Sequence, residues 1–239
     1  MRPENLQHWP GIVISNYPAP IWLASLRIEL GAGLAHLSGI MPDQPDLFTQ
    51  PPPTPPGFAY GEEIISAAEE EAAVAAFGQL PFEPFQFHGY TGNRRIVSFG
   101  WRYDYAGRAL RPSSPIPAFL FPLREKAARF GGVTAESLRQ ILVTEYAQGA
   151  GIGWHRDKPM FEDIIAISLS SPCVLRFRRK QGTGWQRAAK DVRPRSAYLL
   201  RGQSRRDWEH SVPPVDRLRY SVTFRNFVEG DTHNQSRRS

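Results

Sequence analysis

The 239-residue chain has one cysteine, Cys173, so an internal disulfide is excluded. Its setting, Ser-Pro-Cys-Val-Leu, reads as a buried, inert position at the start of a strand, and one lone thiol suits a reducing compartment. A bacterial cytoplasm is the expectation. No apolar run reaches the roughly 20 residues that a bilayer span needs. The nearest, Ile21–Ile40, is broken by Arg27, Glu29 and His36, and the residues before it lack the form of a signal peptide. No membrane partner is therefore expected, and no internal repeat is visible.

Basic residues are in excess. With 29 Lys+Arg against 23 Asp+Glu, the formal net charge is +6 and the pI about 9.7. That balance suits a polyanionic partner, although a merely basic soluble protein has it too. The length allows one large β domain with a helical preface, and one catalytic domain over 58–229 is the reading adopted. Residues 1–57 are irregular and proline-rich, with a polyproline-like spacer at Pro51-Pro-Pro-Thr-Pro-Pro56, and translation starting at Met41 is one reading of this stretch. The tail 230–239 is polar and expected to be disordered.

Between these ends the spacing predicts a strand over Phe58–Ile65. Ser66-Ala-Ala-Glu69 has the spacing of a capping box, opening an alanine-rich helix that stops at Gly78. Its Glu69-Glu70-Glu71 run reads as a solvated first turn favourable to the helix dipole. A second helix is predicted over Ile116–Phe130, entered through Pro117, closed by Gly131-Gly132 and packed outside a sheet. Strands are expected at Gln140–Tyr146, Ile164–Ser170, Cys173–Arg178, Ser196–Arg201 and Leu218–Phe227. Many short strands indicate a sandwich or jelly roll.

The chemistry gathers in Leu142–Asp163, LVTEYAQGAGIGWHRDKPMFED, where a strand runs into a glycine-rich loop. In extended chain, residues two apart share a face, so His155 and Asp157 can reach one ion. A distant histidine would complete the set, and His210 in Trp-Glu-His-Ser-Val-Pro-Pro is the candidate. Two histidines and one carboxylate leave half of an octahedral ferrous ion open for a cosubstrate and dioxygen. Downstream, polar Arg219, Ser221, Thr223 and Arg225 alternate with apolar Leu218, Tyr220, Val222 and Phe224. This predicts a strand with one buried face and one arginine-bearing face, whose planar guanidinium donors match a carboxylate.

Two other motifs fail. His155-Arg-Asp157 reads as a kinase catalytic loop, but Glu162 stands where that loop requires asparagine, and no kinase glycine loop precedes it. Gly149-x-Gly151-x-Gly153 follows a strand but opens no helix, so a dinucleotide site is excluded. These glycines instead let the loop bend close to a metal.

The ordered set of His155-x-Asp157, distant His210, and Arg219-x5-Arg225 ending in Thr-Phe-Arg resembles the AlkB family of iron(II)/2-oxoglutarate dioxygenases, over about Phe85–Phe227. The resemblance implies a mainly β (α+β) fold with flanking helices and a double-stranded β-helix (jelly-roll) core. It implies Fe(II) held by His155, Asp157 and His210, with 2-oxoglutarate and dioxygen as cosubstrates. Arg219 then matches the arginine that pairs with the distal carboxylate of 2-oxoglutarate, and Arg225 a second beside the metal. Tyr146 matches a cosubstrate-binding tyrosine, Thr144 stands where the family usually has asparagine, and Ser221 is grouped with these contacts.

The same resemblance implies an N-terminal nucleotide-recognition lid over about 82–112, a stretch dense in rings and arginines. Cations there would hold phosphates while a ring stacks on a displaced base. Trp101 is the first choice for that ring, with Tyr103 and Tyr105 behind it and Arg102 among the cations. Pro159 replaces an acidic residue found in many members that repair nucleobases, so Glu162 or Asp163 is assigned its base-reading role. The implied activity is oxidative dealkylation of N-alkylated bases in DNA or RNA, with no obligate protein partner. Hydroxylation of a protein or small molecule, or nucleic-acid binding without turnover, are the alternatives.

Overall fold

The described residues begin with strand β1 (Phe58–Gly61) and helix α1 (Ala67–Phe77), followed by strands β2 (Glu83–Phe87), β3 (Tyr90–Phe99), β4 (Trp101–Asp104) and β5 (Ala109–Pro112). Helix α2 (Phe121–Gly131) then leads to β6 (Gln140–Tyr146), β7 (Ile152–His155), β8 (Phe161–Leu169), β9 (Cys173–Gln181) and β10 (Gly184–Val192). The last elements are β11 (Ala197–Leu200), a single helical turn α3 (Gln203–Arg206), β12 (Glu209–Val212) and β13 (Arg219–Phe227). This computed structural model describes residues 54–228 apart from 88, 89, 105, 106 and 108. The proline-rich stretch over 1–53, the Met41 start, the tail from Gly230 and Tyr105 lie outside the described residues.

The strands form a jelly roll of two unequal sheets. A seven-stranded sheet runs β1-β11-β8-β13-β6-β3-β2, a four-stranded sheet runs β10-β9-β12-β7, and β4 and β5 pair as a separate ribbon. β13 lies between β8 and β6 and pairs antiparallel with both, placing Arg219 opposite Tyr146 and Ser221 opposite Thr144. Alternation along this strand serves two cores. Tyr220, Val222 and Phe224 join α1, α2 and the outer face of the large sheet, while residues of β8, β9 and β12 close the space between the sheets. The polar face of β13 is buried as well: Arg219 is 1% exposed and Arg225 9%. Polar groups on a strand can be buried only with partners, which makes that face the place to look for a site.

The α1 cap forms as the sequence predicts. Glu69 N donates to Ser66 Oγ at 3.2 Å and Ser66 N to Glu69 Oε2 at 2.7 Å, a reciprocal capping box. The acidic run is less solvated than expected. Glu69 also accepts from Lys126 Nζ at 3.0 Å, and Glu70 accepts from Ser170 N at 2.7 Å and Arg195 Nη1 at 3.3 Å, tying α1 to α2 and the sheet. The second helix is split: a 3-10 turn over Ala118–Leu120 precedes α2. Pro122 explains the split, because it lacks the N–H that would continue a helix through it and suits a fresh first turn. The stretch read as a lid holds β2 to β5, and beyond it three further strands escaped the sequence reading. β10, GWQRAAKDV, is largely exposed, and β7 and β12 are four residues each, too short to show a period.

Gly100 joins β3 to the β4–β5 ribbon with φ of 73°, and a Cβ there would lie 2.1 Å from the Arg139 carbonyl oxygen. Both the left-handed backbone and the collision with main chain require glycine. Gly100→Ala should destabilise the protein by about 2 kcal/mol, lowering the melting temperature by roughly 4–8 °C in a thermal melt.

Candidate metal centre

β7 and β12 pair with His155 opposite His210, and the two imidazole centroids stand 4.3 Å apart. A Cβ on Gly151 would lie 2.7 Å from the Val212 carbonyl oxygen, so this glycine lets the start of β7 approach β12. His155 Nδ1 is 2.9 Å from the Gly153 carbonyl oxygen. A proton donated there fixes the tautomer and leaves Nε2 with its lone pair free. Asp157 follows immediately, with Oδ2 3.5 Å from His210 Nε2. Its Oδ1 accepts from Arg225 Nε at 2.9 Å and Nη2 at 2.7 Å, while Arg225 Nη1 donates to Gln140 Oε1 at 2.8 Å. One ligand atom each of His155, Asp157 and His210 falls within 4.8 Å of the others.

The protonation states follow from burial and charge. Burial lowers the pKa of both histidines, bringing His210 down to about 3, so both imidazoles stay neutral near neutral pH. Burial alone would raise the Asp157 carboxyl, but the Arg225 guanidinium, with the two histidines, holds it well below the usual carboxylate range. Three potential ligand atoms thus converge, on two neutral imidazoles and one ionised carboxylate, and burial opposes a second proton on either ring. The residues present therefore fit a ferrous ion with two imidazoles and one carboxylate.

A cavity of about 440 Å³ opens beside these ligands. Its walls include Thr144, Tyr146, Ser221 and Arg225, which the sequence assigned to cosubstrate binding. Arg219 lies behind them, its guanidinium 5.0 Å from the Tyr146 ring centroid and its Nε donating to Ser168 Oγ at 3.1 Å. Its Nη1 is buried without a partner. A buried guanidinium N–H left unpaired is costly, and a carboxylate entering between Tyr146 and Tyr198 would satisfy it.

The proposed substrate residues are more scattered. Tyr103 lines the cavity, with Lys158 Nζ 4.5 Å from its ring centroid. Trp101 instead packs edge-on against Phe227 at 5.8 Å, and exposed Arg102 stands opposite Arg111 on β5. Asp163 is buried and accepts from Arg201 Nε and Nη2, each at 2.8 Å. Glu162 lies 3.4 Å from Arg206 Nη1. Neither carboxylate lines the cavity. Sequence reasoning missed Gln140 and Tyr198, and it placed Arg94 only within the lid's run of rings and arginines. Gln140 was within reach, because alternation along β6 puts residue 140 on the face of 144 and 146. Arg94 stacks 3.8 Å from the Phe85 ring centroid, a pairing of two residues on neighbouring strands with no sequence motif.

Two histidines and a carboxylate converge in this jelly roll, with buried arginines beside them, an arrangement that fits a metal-dependent oxygenase. The model of the 2OG-Fe(II) oxygenase superfamily matches residues 66–233, and the chain belongs to that family. Among curated proteins, the chain is 27% identical over 197 residues to the alkylated DNA repair protein ALKBH8 homolog of Arabidopsis thaliana, covering 72% of this chain and 55% of the relative. It is 30% identical over 183 residues to the tRNA (carboxymethyluridine(34)-5-O)-methyltransferase ALKBH8 of Mus musculus, covering 73% of this chain but 27% of the mouse protein. The chain thus spans about half or less of these relatives. Among solved structures it superposes on OsALKBH1 with a TM-score of 0.55 at 15% identity, covering 72% of this chain and 97% of the other, a likeness of fold. Membership of this superfamily implies Fe(II), 2-oxoglutarate and dioxygen, and the matched relatives named here are AlkB homologues.

Two outcomes check the centre. Asp157→Ala should abolish Mn(II) binding followed by electron paramagnetic resonance. It should also cost about 3 kcal/mol in urea unfolding, because Arg225 is left buried without its carboxylate. The folded pKa of His210, about 3, lies below the 6.5 of a free imidazole. Between those values the unfolded chain binds the extra proton, so metal-free stability should fall as pH drops, by at most about 1.4 kcal/mol per pH unit for this group. Urea melts at pH 6 and pH 5 should show that loss, and His210→Gln should reduce it.

Proposed function

We propose that the protein oxidatively removes alkyl groups from modified bases of DNA or RNA. The observation that carries this reading is the convergence, in one cavity, of the metal ligands with rings and cations suited to a nucleotide: Phe85, Arg94, Tyr103, Trp154, Arg156 and Lys158. The names of relatives support a nucleic-acid substrate, among them a probable RNA/DNA demethylase ALKBH6 of Danio rerio, 28% identical over 126 residues.

Residues 82–112 act as the lid in this reading. Tyr103, facing the cavity, takes the stacking role in preference to Trp101, whose ring is engaged by Phe227. A base in a duplex must first leave the stack, which costs less where alkylation has already damaged its pairing. Arg94, Arg156 and Lys158 supply positive charge for the phosphates around the flipped nucleotide.

His155, Asp157 and His210 would hold the ferrous ion, and Arg219 would pair with the carboxylate of 2-oxoglutarate. When bound, iron, 2-oxoglutarate and dioxygen supply the oxidising chemistry: the oxo acid becomes succinate and carbon dioxide, and one oxygen atom enters a C–H bond of the N-alkyl group. The hydroxylated carbon then loses its C–N bond, its hydroxyl proton is released as the aldehyde forms, and the ring nitrogen recovers its own electron pair or proton. Apolar Leu175, Ile164 and Phe161 line the same cavity and limit water there.

Incubation with ferrous iron, 2-oxoglutarate and a 1-methyladenine or 3-methylcytosine oligonucleotide, read by mass spectrometry, tests this. Loss of the methyl mass together with succinate is expected, both abolished in Asp157→Ala. Arg219→Met should raise the KM for 2-oxoglutarate about tenfold or more, as loss of a charge-assisted pair predicts. Succinate without demethylation across such substrates would reject dealkylation in favour of hydroxylation elsewhere. Neither product from metal-loaded protein would reject turnover.

A further inference from the structure

The outer face of the four-stranded sheet lies outside the cavity and carries a composition the fold does not need. On β9, Cys173, Leu175 and Phe177 point inward, leaving Val174, Arg176, Arg178 and Lys180 outside. The cross-strand neighbours on β10 are Trp185 opposite Lys180 and Arg187 opposite Arg178. On the other side of β9, Glu209 and Ser211 of β12 stand opposite Arg178 and Arg176. Val174 and Trp185, two of the large apolar side chains left exposed among the described residues, are both here, Trp185 at 41%.

Rings and cations interleave across this face. The Arg178 guanidinium lies 4.6 Å from the Trp154 ring centroid and 4.3 Å from that of Trp185, and Lys180 Nζ is 5.3 Å from Trp185. Arg176 stands 5.2 Å from Trp154. Glu209 balances only part of the charge, pairing with Arg178 Nε at 2.6 Å. Placing Arg187 directly opposite Arg178 puts like charges on adjacent strands, which opposes sheet formation. A cleft of about 250 Å³ there is bounded by Arg156, Arg178, Arg179 and Lys180, with Asp207 and Glu209 as its acids. Trp154 and Arg156 flank the metal ligand His155, line the catalytic cavity as well, and so join its mouth to this face.

We propose that this face is a docking track for the single-stranded stretch of nucleic acid flanking the modified base, with Arg178, Lys180 and Arg187 on phosphates and Trp185 stacked on a base. The inference rests on the nucleic-acid reading of the catalytic site and extends it. Charge complementarity selects a polyanion, and an exposed indole between two cations selects one with flat π-faces. Four strands cover about 14 Å between the outermost two, so the track continues well beyond the cavity. A continuous duplex would not offer its bases to Trp185.

Fluorescence polarisation with a labelled, unmodified single-stranded oligonucleotide tests the track without depending on turnover. Trp185→Ala should weaken binding about tenfold, the loss of one base stack. Lys180→Gln/Arg187→Gln should lower the slope of log affinity against log salt by about 1.4, the loss of two phosphate contacts to a single strand. Melting temperature and Mn(II) binding should stay as in the wild type, and each single variant reports on its own should a combination fail to fold. Unchanged affinity and slope in well-folded variants would overturn the track while leaving dealkylation of the oligonucleotide by the wild type intact. A wild-type protein that binds no oligonucleotide would overturn the track together with the nucleic-acid reading. Displacement of the oligonucleotide by a poly-glutamate peptide at equal affinity would overturn it in favour of an acidic protein.

Discussion

The pairing of Asp157 with Arg225 is the interaction on which the site depends. Each is charged and almost fully enclosed, and neither could stay so alone, since removing an ion from water costs several kcal/mol unless a partner replaces the hydration. Arg225 meets that requirement with two donors on one carboxylate oxygen, leaving the other oxygen turned toward His210. Gln140 takes the remaining arm of the guanidinium and stops it from swinging away. The carboxylate is thereby kept ionised and aimed before any ligand arrives, which is what preorganisation of a metal site requires.

That pairing also explains why β13 occupies the middle of the large sheet. Its apolar residues are shared with the helices, and its polar ones with the space between the sheets, so the strand cannot slip by one residue without burying arginines among phenylalanines. Register and chemistry are therefore specified together. The same logic links β7 to β12, where four-residue strands with a register irregularity hold two imidazoles side by side. Short strands are weak alone, and here the long β9 beside β12 supports them.

How much of this was legible from residues alone depended on whether the signal was local. The Ser66 capping box, the β6 limits and the alternation through Arg219–Arg225 are local patterns, and the structure forms each of them. His155 with Asp157 was visible as a spacing, and His210 as its partner through the ordered resemblance. The rest was hidden in pairings between distant segments. Nothing in Asp163 as a letter says that Arg201 will claim it, and nothing in Trp101 says that Phe227 will cover its ring. The β10 strand was missed for a related reason: its exposed face carries the charges that usually mark a loop, although Ala188 and Val192 keep it in the core.

Charge balance then decides how such a site fills. Asp157 and Arg225 pair with one another, while the buried guanidinium of Arg219 has Ser168 Oγ on its Nε and no hydrogen-bond partner on its Nη1. Adding a divalent cation alone would add positive charge in a region of low dielectric, and adding a dianionic oxo acid alone would leave part of its charge without a metal counterpart. Together they largely neutralise one another. Each should therefore strengthen the other's binding, and because such coupling is a property of the free energies it must act equally in both directions. In the proposed function, the buried arginine behind Tyr146 and the three converging side chains, though on different sheets, would then act as one electrostatic unit rather than as two separate sites.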